Sequence, residues 1–401
     1  MTENDFYDII NTDTDAYVGD ITMKATNYKH GIDNVGSLDS LLSGKRLGLI
    51  TNPTGVGSDM RSSVDALREK YDLRLLCGPE HGITGAAQAG VKVGHSTDER
   101  SGLPVISMYA AKEDGRAFSD VDIMLFDIQD IGVRFYTYIY TLSDAMRLCA
   151  DAEIPLAVLD RYNPLGLYRT EGTLLDEKFS SGVGRFELPS RHALTVGEYA
   201  RYVNAEKGIG CELYVCPCTG LDRNMDGRDI SLPWIPPSPN IPTLETVRAY
   251  VGTVIFEGTN MSEGRGTTKP FEIIGAPWLR HYEVCDYMNS LRLSGVWFRP
   301  CEYIPTFSKF AGELCHGIQL HITDPDSFEA FRTGILLLDR IRRTHTEFAF
   351  LYWEKSGVHF IDHLLGTDAV RMPDFDAEQF IADERKRIDA FLPSLDKYKI
   401  Y

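Results

Sequence analysis

The sequence predicts an α/β protein: a Rossmann-like doubly wound parallel sheet followed by a second, smaller α+β C-terminal domain. Three observations carry this. Short runs apolar on both faces (Lys45 to Thr51, Leu73 to Cys77, Pro104 to Tyr109, Asp122 to Asp127 and Ile154 to Asp160) alternate with helix-compatible stretches at βαβ spacing, as parallel strands covered by helices do. From Cys216 to Thr243 the composition turns to proline, and Pro233, Pro236, Pro237, Pro239 and Pro242 exclude helix and central strand. Beyond this connector, strand-like Gly317 to Thr323 lies among amphipathic helices with the apolar stripes Phe328, Phe331, Ile335, Leu338 and Phe380, Ile381, Ile388, Phe391.

Taken in order, residues 1–27 read as a polar leader, 28–245 as the Rossmann-like domain and 246–401 as the C-terminal domain. The first organised stretch is helix-like SLDSLLSG, and the strand KRLGLIT then ends in the turn Asn52-Pro53-Thr54-Gly55. A helix fits Ser62 to Lys70. The next strand breaks at Gly78-Pro79 and presents Glu80 and His81, with Gly82, Gly85, Gly90 and Gly94 following. Ile139, Leu142, Met146 and Cys149 fall at helical spacing. Val251 to Phe256 reads as a strand, and Glu257 to Pro270 as a second glycine-rich loop.

Composition excludes several classes. A net charge of -17, from 41 Lys plus Arg against 58 Asp plus Glu, repels polyanions, so no nucleic-acid partner is expected. Eight cysteines lack any C-x-x-C pairing and read as reduced thiols. The amino terminus has no basic region leading into an apolar one, so a cytoplasmic protein is expected, and no run approaches the ~20 apolar residues that span a membrane.

Polar groups cluster after the predicted strands: Glu80 and His81; Asp127, Gln129, Asp130 and Arg134; Asp160, Arg161 and Asn163; Asn240; and Glu257, Asn260, Glu263 and Arg265. Ligands of open α/β sheets bind beyond such strand ends. There is no G-x-G-x-x-G after the first strand and no G-x-x-x-x-G-K-[ST], so no nucleotide cofactor is indicated. Asp127, Asp130 and His81 are of a type that suits a divalent cation, but the ligand spacing of a dedicated metal site is missing, and no metal or other cofactor is expected. No G-x-S-x-G elbow exists, and Cys77 lies inside an apolar run. Carboxylate chemistry remains, with Glu80 on one loop and Glu257 and Glu263 on another. Two such groups across a scissile bond are what glycoside hydrolysis requires. Phe135, Tyr136, Tyr138 and Trp234 offer faces for a sugar, or core packing.

The segments GPEHGITGAAQAG (78–90), DIQDIGVRFYTYIYT (127–141), LDRYNPLG (159–166), PWIPPSPNIPT (233–243), EGTNMSEGRGTTKPFEIIGAPW (257–278) and PTFSKFAGELCHGIQLHIT (305–323) together resemble the exo-β-N-acetylmuramidase family of glycoside hydrolases. The resemblance runs from about Gly31 to the carboxyl end. It implies a Rossmann-like domain and a smaller C-terminal domain with the active cleft between them, and release of N-acetylmuramic acid from the non-reducing ends of peptidoglycan fragments. Glu80 matches the family's suspected catalytic glutamate, and Glu263 and Arg265 fall in its S-E-G-R-G-T motif. Tyr162 departs from the usual proline of D-R-P-N-P-L-G, and Asp222 to Ser231 departs from the usual connector. The expected assignment is Glu80 as proton donor, with His81 beside it. Glu263 is preferred to Glu257 as the opposite carboxylate, and Arg265, or else Arg161 or Arg134, is expected on the lactyl carboxylate of the muramic acid. A metal-dependent hydrolase of an amino-sugar amide or ester, using Asp127, Asp130 and His81, and a non-catalytic muropeptide-binding protein are the alternatives.

Overall fold

The computed structural model describes residues 27–80, 82–85, 96–113, 117–354 and 357–401. Six parallel strands form the main sheet: β1 (Arg46–Thr51), β2 (Asp72–Gly78), β3 (Pro104–Ser107), β4 (Ile123–Asp127), β5 (Leu156–Leu159) and β6 (Leu213–Cys216). They lie in the order β3-β2-β1-β4-β5-β6, with the short segment Ser96–Thr97 antiparallel on the β3 edge. This is the doubly wound order: the chain builds outward from β1 in one direction, then returns and builds in the other. A crevice is left where the carboxyl ends of β1 and β4 diverge. Thr51 pairs with Asp127 there, and Gly78 of β2 ends level with Ser107 of β3. The expected α/β class is therefore the observed one.

The helices start where the sequence supplies caps. In α1 (Ser63–Lys70) the Ser62 hydroxyl accepts from the Val64 amide, and in α3 (Val196–Glu206) Thr195 and Glu198 cap each other reciprocally. Between these, α2 (Tyr138–Asp151) buries the predicted stripe of Ile139, Leu142, Met146 and Cys149.

The smaller part begins with α4 (Leu244–Thr253) and carries β7 (Ile273–Ala276), α5 (His281–Ser290), β8 (Val296–Tyr303), β9 (Cys315–Ile322), α6 (Ala330–Thr344) and α7 (Ala377–Phe391). Its strands make an antiparallel sheet in the order β7-β9-β8. The strand expected over Val251 to Phe256 is instead the end of α4 and a 3-10 turn, Val254–Gly258. Thr243 caps this helix by accepting from the Thr246 amide, and Val247, Val251, Val254 and Ile255 are all buried. A helix apolar all round shows no 3.6-residue period, so its β-branched residues read as a strand. Glu257 consequently sits on a helical turn rather than at a strand end.

One continuous apolar core joins the two parts, with Tyr138, Leu142 and Phe186 on one side and Tyr250, Phe271 and Ile318 on the other. At their junction the rings of Tyr136 and Tyr138, Tyr136 and Tyr250, and Tyr250 and Phe271 meet edge to face, 4.9, 6.4 and 4.6 Å apart. All eight cysteines are free thiols, and seven are buried. Among the described residues, no helix is long and apolar enough to cross a membrane.

Candidate active site

Several of the expected site residues serve to build the strand ends. Asp127 is completely buried, its Oδ1 accepting from Arg161 Nε at 2.6 Å and its Oδ2 from the Ser63 hydroxyl. Arg161 spends its Nη2 on the Val56 carbonyl at 2.9 Å. The Asp160 carboxylate takes the Arg161 and Gly197 amides and the Thr195 and Tyr401 hydroxyls; burial still lifts its pKa to about 6. Asn163 donates to the Leu194 carbonyl and accepts from the Leu165 amide, and Asn240 is buried within the proline-rich connector. Asn260 fastens a neighbouring segment, donating to the Glu347 carbonyl and accepting from the Ala349 amide. Arg134 is fully buried. Its guanidinium donates to the carbonyls of Thr173, Leu188 and Leu364 at 2.7, 2.7 and 2.9 Å. Arg134 and Arg161 are thus buried and held mainly by internal bonds, which makes each a structural clasp rather than the exposed fork expected for a lactyl carboxylate. Asp127 is likewise tied down, each of its oxygens accepting a hydrogen bond from a buried neighbour. His81 lies outside the described residues.

A different set of side chains converges where the two parts meet. Glu80, directly after β2, accepts from the Thr137 hydroxyl through Oε2 at 2.8 Å. Thr137 precedes α2, whose first residue, Tyr138, donates to the Pro237 carbonyl at 2.5 Å and so ties the connector down over the strand ends. The Tyr250 phenol feels Glu257, Arg265, Glu80 and Asp130 together; burial first, then Glu257, pushes its pKa up. Arg265 bonds Glu257 Oε1 through Nη2 at 2.5 Å and Nε at 3.1 Å, and lies 3.4 Å from Glu263. It is presented by Gly264 and Gly266, both at φ 79°, where an added Cβ would meet the Ile273 and Phe307 carbonyls. Beneath it lies the ring of Phe271, 5.0 Å from the guanidinium and itself held at φ 63°. On the far side Lys309 donates to Glu263 at 3.0 Å and to the carbonyls of Phe256, Glu257 and Met261.

The two glutamates of this loop differ in surroundings. The Glu263 side chain is 3% exposed and held by two cations, whereas that of Glu257 is 18% exposed and bonds through Oε1 alone. Burial raises the Glu257 pKa; Arg265 opposes this and the Glu263 charge adds to it. Close by, Asp130 Oδ1 and the Tyr136 hydroxyl are buried without a hydrogen-bond partner among the described residues. The other oxygen of Asp130 accepts from the Gly132 amide and stands 3.7 Å from His192 Nε2. His192 accepts from the Leu194 amide at Nδ1, so its proton sits on Nε2, toward Asp130.

Beside Glu80 opens a cleft of about 470 Å³, walled by Met108, Tyr109, Lys112, Thr137, Tyr140, Thr141, Asp144, Gly182 and Arg185. Lys112 and Arg185 both pair with the single carboxylate of Asp144. A smaller hollow at the β1/β4 crevice is lined by His30, Thr54, Gln129, Arg161, Tyr162 and Trp234. Sequence reading missed Thr137, Lys112, Arg185, His192, Tyr250 and Lys309. Thr137 and Lys309 do lie inside motifs used above; Lys112 and Arg185, in ordinary helix and loop sequence, carried no signal.

Models of the N-terminal and C-terminal domains of exo-β-N-acetylmuramidase NamZ match residues 47–245 and 248–401. The chain is 44% identical over 389 residues to peptidoglycan β-N-acetylmuramidase NamZ of Bacillus subtilis (strain 168), covering 95% of this chain and 93% of that protein. Two crystal structures of DUF1343 family proteins from Bacteroides fragilis NCTC 9343 share the fold. One has TM-score 0.84 and 33% identity, the other 0.76 and 28%, and each covers 94% of this chain and 99% of its own. With both halves matched in order and 44% identity over nearly the whole chain, the chain belongs to the exo-β-N-acetylmuramidase NamZ family of glycoside hydrolases.

Proposed function

We propose that the protein releases N-acetylmuramic acid from the non-reducing ends of peptidoglycan fragments in the cytoplasm, with Glu80 as proton donor. The observation that carries this is that Glu80, on the Rossmann-like domain, and the paired Glu257 and Arg265, on the smaller domain, all act electrostatically on the buried Tyr250 phenol at the junction. Carboxyl groups brought to a bound sugar from two sides would protonate a leaving oxygen from one side and stabilise an oxocarbenium-like centre from the other. Asp130 Oδ1 and the Tyr136 hydroxyl, buried and unpaired, are suited to receive sugar hydroxyl or amide groups that replace their missing partners. Incubation with a muramic-acid-terminated disaccharide tests the activity: free monosaccharide is expected, and binding without release would leave a glycan-binding protein.

Glu257 is the better partner for Glu80. Glu263 neutralises Lys309 and Arg265 in a nearly water-free setting, which makes it the anchor that holds Glu257 and Arg265 in place. Glu263→Gln is expected to cost roughly 3–5 kcal/mol of stability, because buried cations lose their counter-charge. Glu257→Gln should keep the fold and lose turnover. Urea unfolding alongside steady-state rates separates the two, and a Glu263→Gln protein of wild-type stability with no activity would put Glu263 in the chemistry instead.

The muramic lactyl carboxylate is assigned to the cleft beside Glu80. Two cations, Lys112 and Arg185, face one aspartate there, so when Glu80 carries its proton the cleft keeps a surplus positive charge that the protein's overall -17 does not supply. Arg265 is already saturated by two glutamates. Replacing Lys112 or Arg185 by Met should lower kcat/KM on muramic substrates by about tenfold or more, ~1.4 kcal/mol. The same substitutions should barely affect a glucosamine-terminated substrate. Equal losses on both substrates would refute the assignment.

A further inference from the structure

Away from this cleft, the antiparallel sheet carries a cluster with no part in the glycosidase chemistry. Glu302 of β8 and His316 of β9 are directly paired across the strands, and opposed residues of an antiparallel pair project to the same face. Val296 and Phe298 of β8, which alternate onto that face, are buried, and α5 packs on this sheet. The first residue of α5, His281, stacks on His316 with ring centroids 4.9 Å apart and planes 12° from parallel.

One donor atom from each of His281, Glu302 and His316 lies within 4.8 Å of the others. His316 Nδ1 stands 3.3 Å from Glu302 Oε1, yet it is buried with no aligned hydrogen bond, an orphan polar atom turned to a carboxylate. His281 has the Leu279 carbonyl in hydrogen-bond reach of its ring. A backbone carbonyl beside one ring nitrogen is a common means of orienting a metal-ligating imidazole.

We propose that His281, Glu302 and His316 bind a divalent ion of the zinc class, which clips the amino end of α5 to the β8–β9 pair. Two imidazoles and one carboxylate suit zinc and its borderline neighbours better than calcium or magnesium, which take oxygen ligands. Bonds of about 2.0–2.2 Å need donor atoms about 3.4 Å apart in a tetrahedral site. The donor atoms therefore close by up to about 1.4 Å, and because an imidazole ligates in its own ring plane, His316 must turn out of its stack on His281 while the exposed Glu302 side chain swings in. A fourth position remains for water. The ion would sit away from Glu80 and Glu257, so this inference stands or falls independently of the proposed activity.

The test is zinc titration of tag-free, chelator-dialysed protein by calorimetry, with melting midpoints recorded in parallel. One equivalent per chain is expected, raising the midpoint by a few degrees at zinc about a hundredfold above its Kd. Glu302→Gln, an exposed and mild change, and His316→Ala should each weaken binding at least about tenfold and abolish the thermal shift. Absence of a zinc equivalent in the wild-type protein, or undiminished binding in either variant, overturns the proposal.

Discussion

Glu80→Gln is expected to reduce turnover of a muramic-acid-terminated disaccharide by ~10² or more while leaving folding and substrate binding near wild type. The substitution keeps the shape of the side chain, and the Thr137 hydroxyl still finds an oxygen to donate to. What is lost is the proton. A sugar leaving group departs as an alkoxide unless it is protonated, and among the described residues the only other carboxyl group on the walls of this cleft is Asp144, which is held by Lys112 and Arg185. The effect should shrink on an aryl glycoside, whose leaving group needs little protonation, and this dependence distinguishes a proton donor from a binding residue. Equal losses on both substrates, or near-wild-type turnover of the disaccharide, would remove Glu80 from the role.

Arg134→Met should be among the most damaging single changes to stability, costing roughly 3–5 kcal/mol. The guanidinium is wholly buried and joins three carbonyls, two on the hairpin strands Glu171–Leu174 and Pro189–Arg191 or just beside them, and one at Leu364 in the C-terminal part. Methionine fills much of the volume and leaves all three acceptors dry. Burial lowers the Arg134 pKa to about 10, still above neutrality, so the group is charged under ordinary conditions. Because the clasp spans both parts of the molecule, urea unfolding should become less cooperative as well as easier. An Arg134→Met protein of wild-type stability but with weakened substrate binding would return this arginine to the ligand.

Much of the fold was legible because its signals are local. Each parallel strand is a short apolar run bounded by turn residues, and the caps Ser62, Thr195 and Thr243 stand next to the helices they start. Val251 to Phe256 was misread as a strand because burial of every residue there erases the period that distinguishes helix from strand. In the same way, the long motifs around Glu80 and Glu263 were sufficient to indicate the family, because residue order is all that such a comparison needs.

The sequence by itself determined the α/β class and the family, and it pointed to the loops proposed to carry the chemistry. It could not determine which charges on those loops are free. Asp127 meets Arg161 because β4 and β5 are neighbours in the sheet, Arg134 meets Leu364 across the junction of the two parts, and Glu263 meets Lys309 from a distant loop. Only the tertiary structure decided that Arg134 and Arg161 are bound internally, that Glu257 is more open than Glu263, and that Lys112 and Arg185 stand beside Glu80. The physical reason is that the state of a charged group depends on its burial and on the partners that strand order brings within about 4 Å, and neither is a property of its neighbours in the chain.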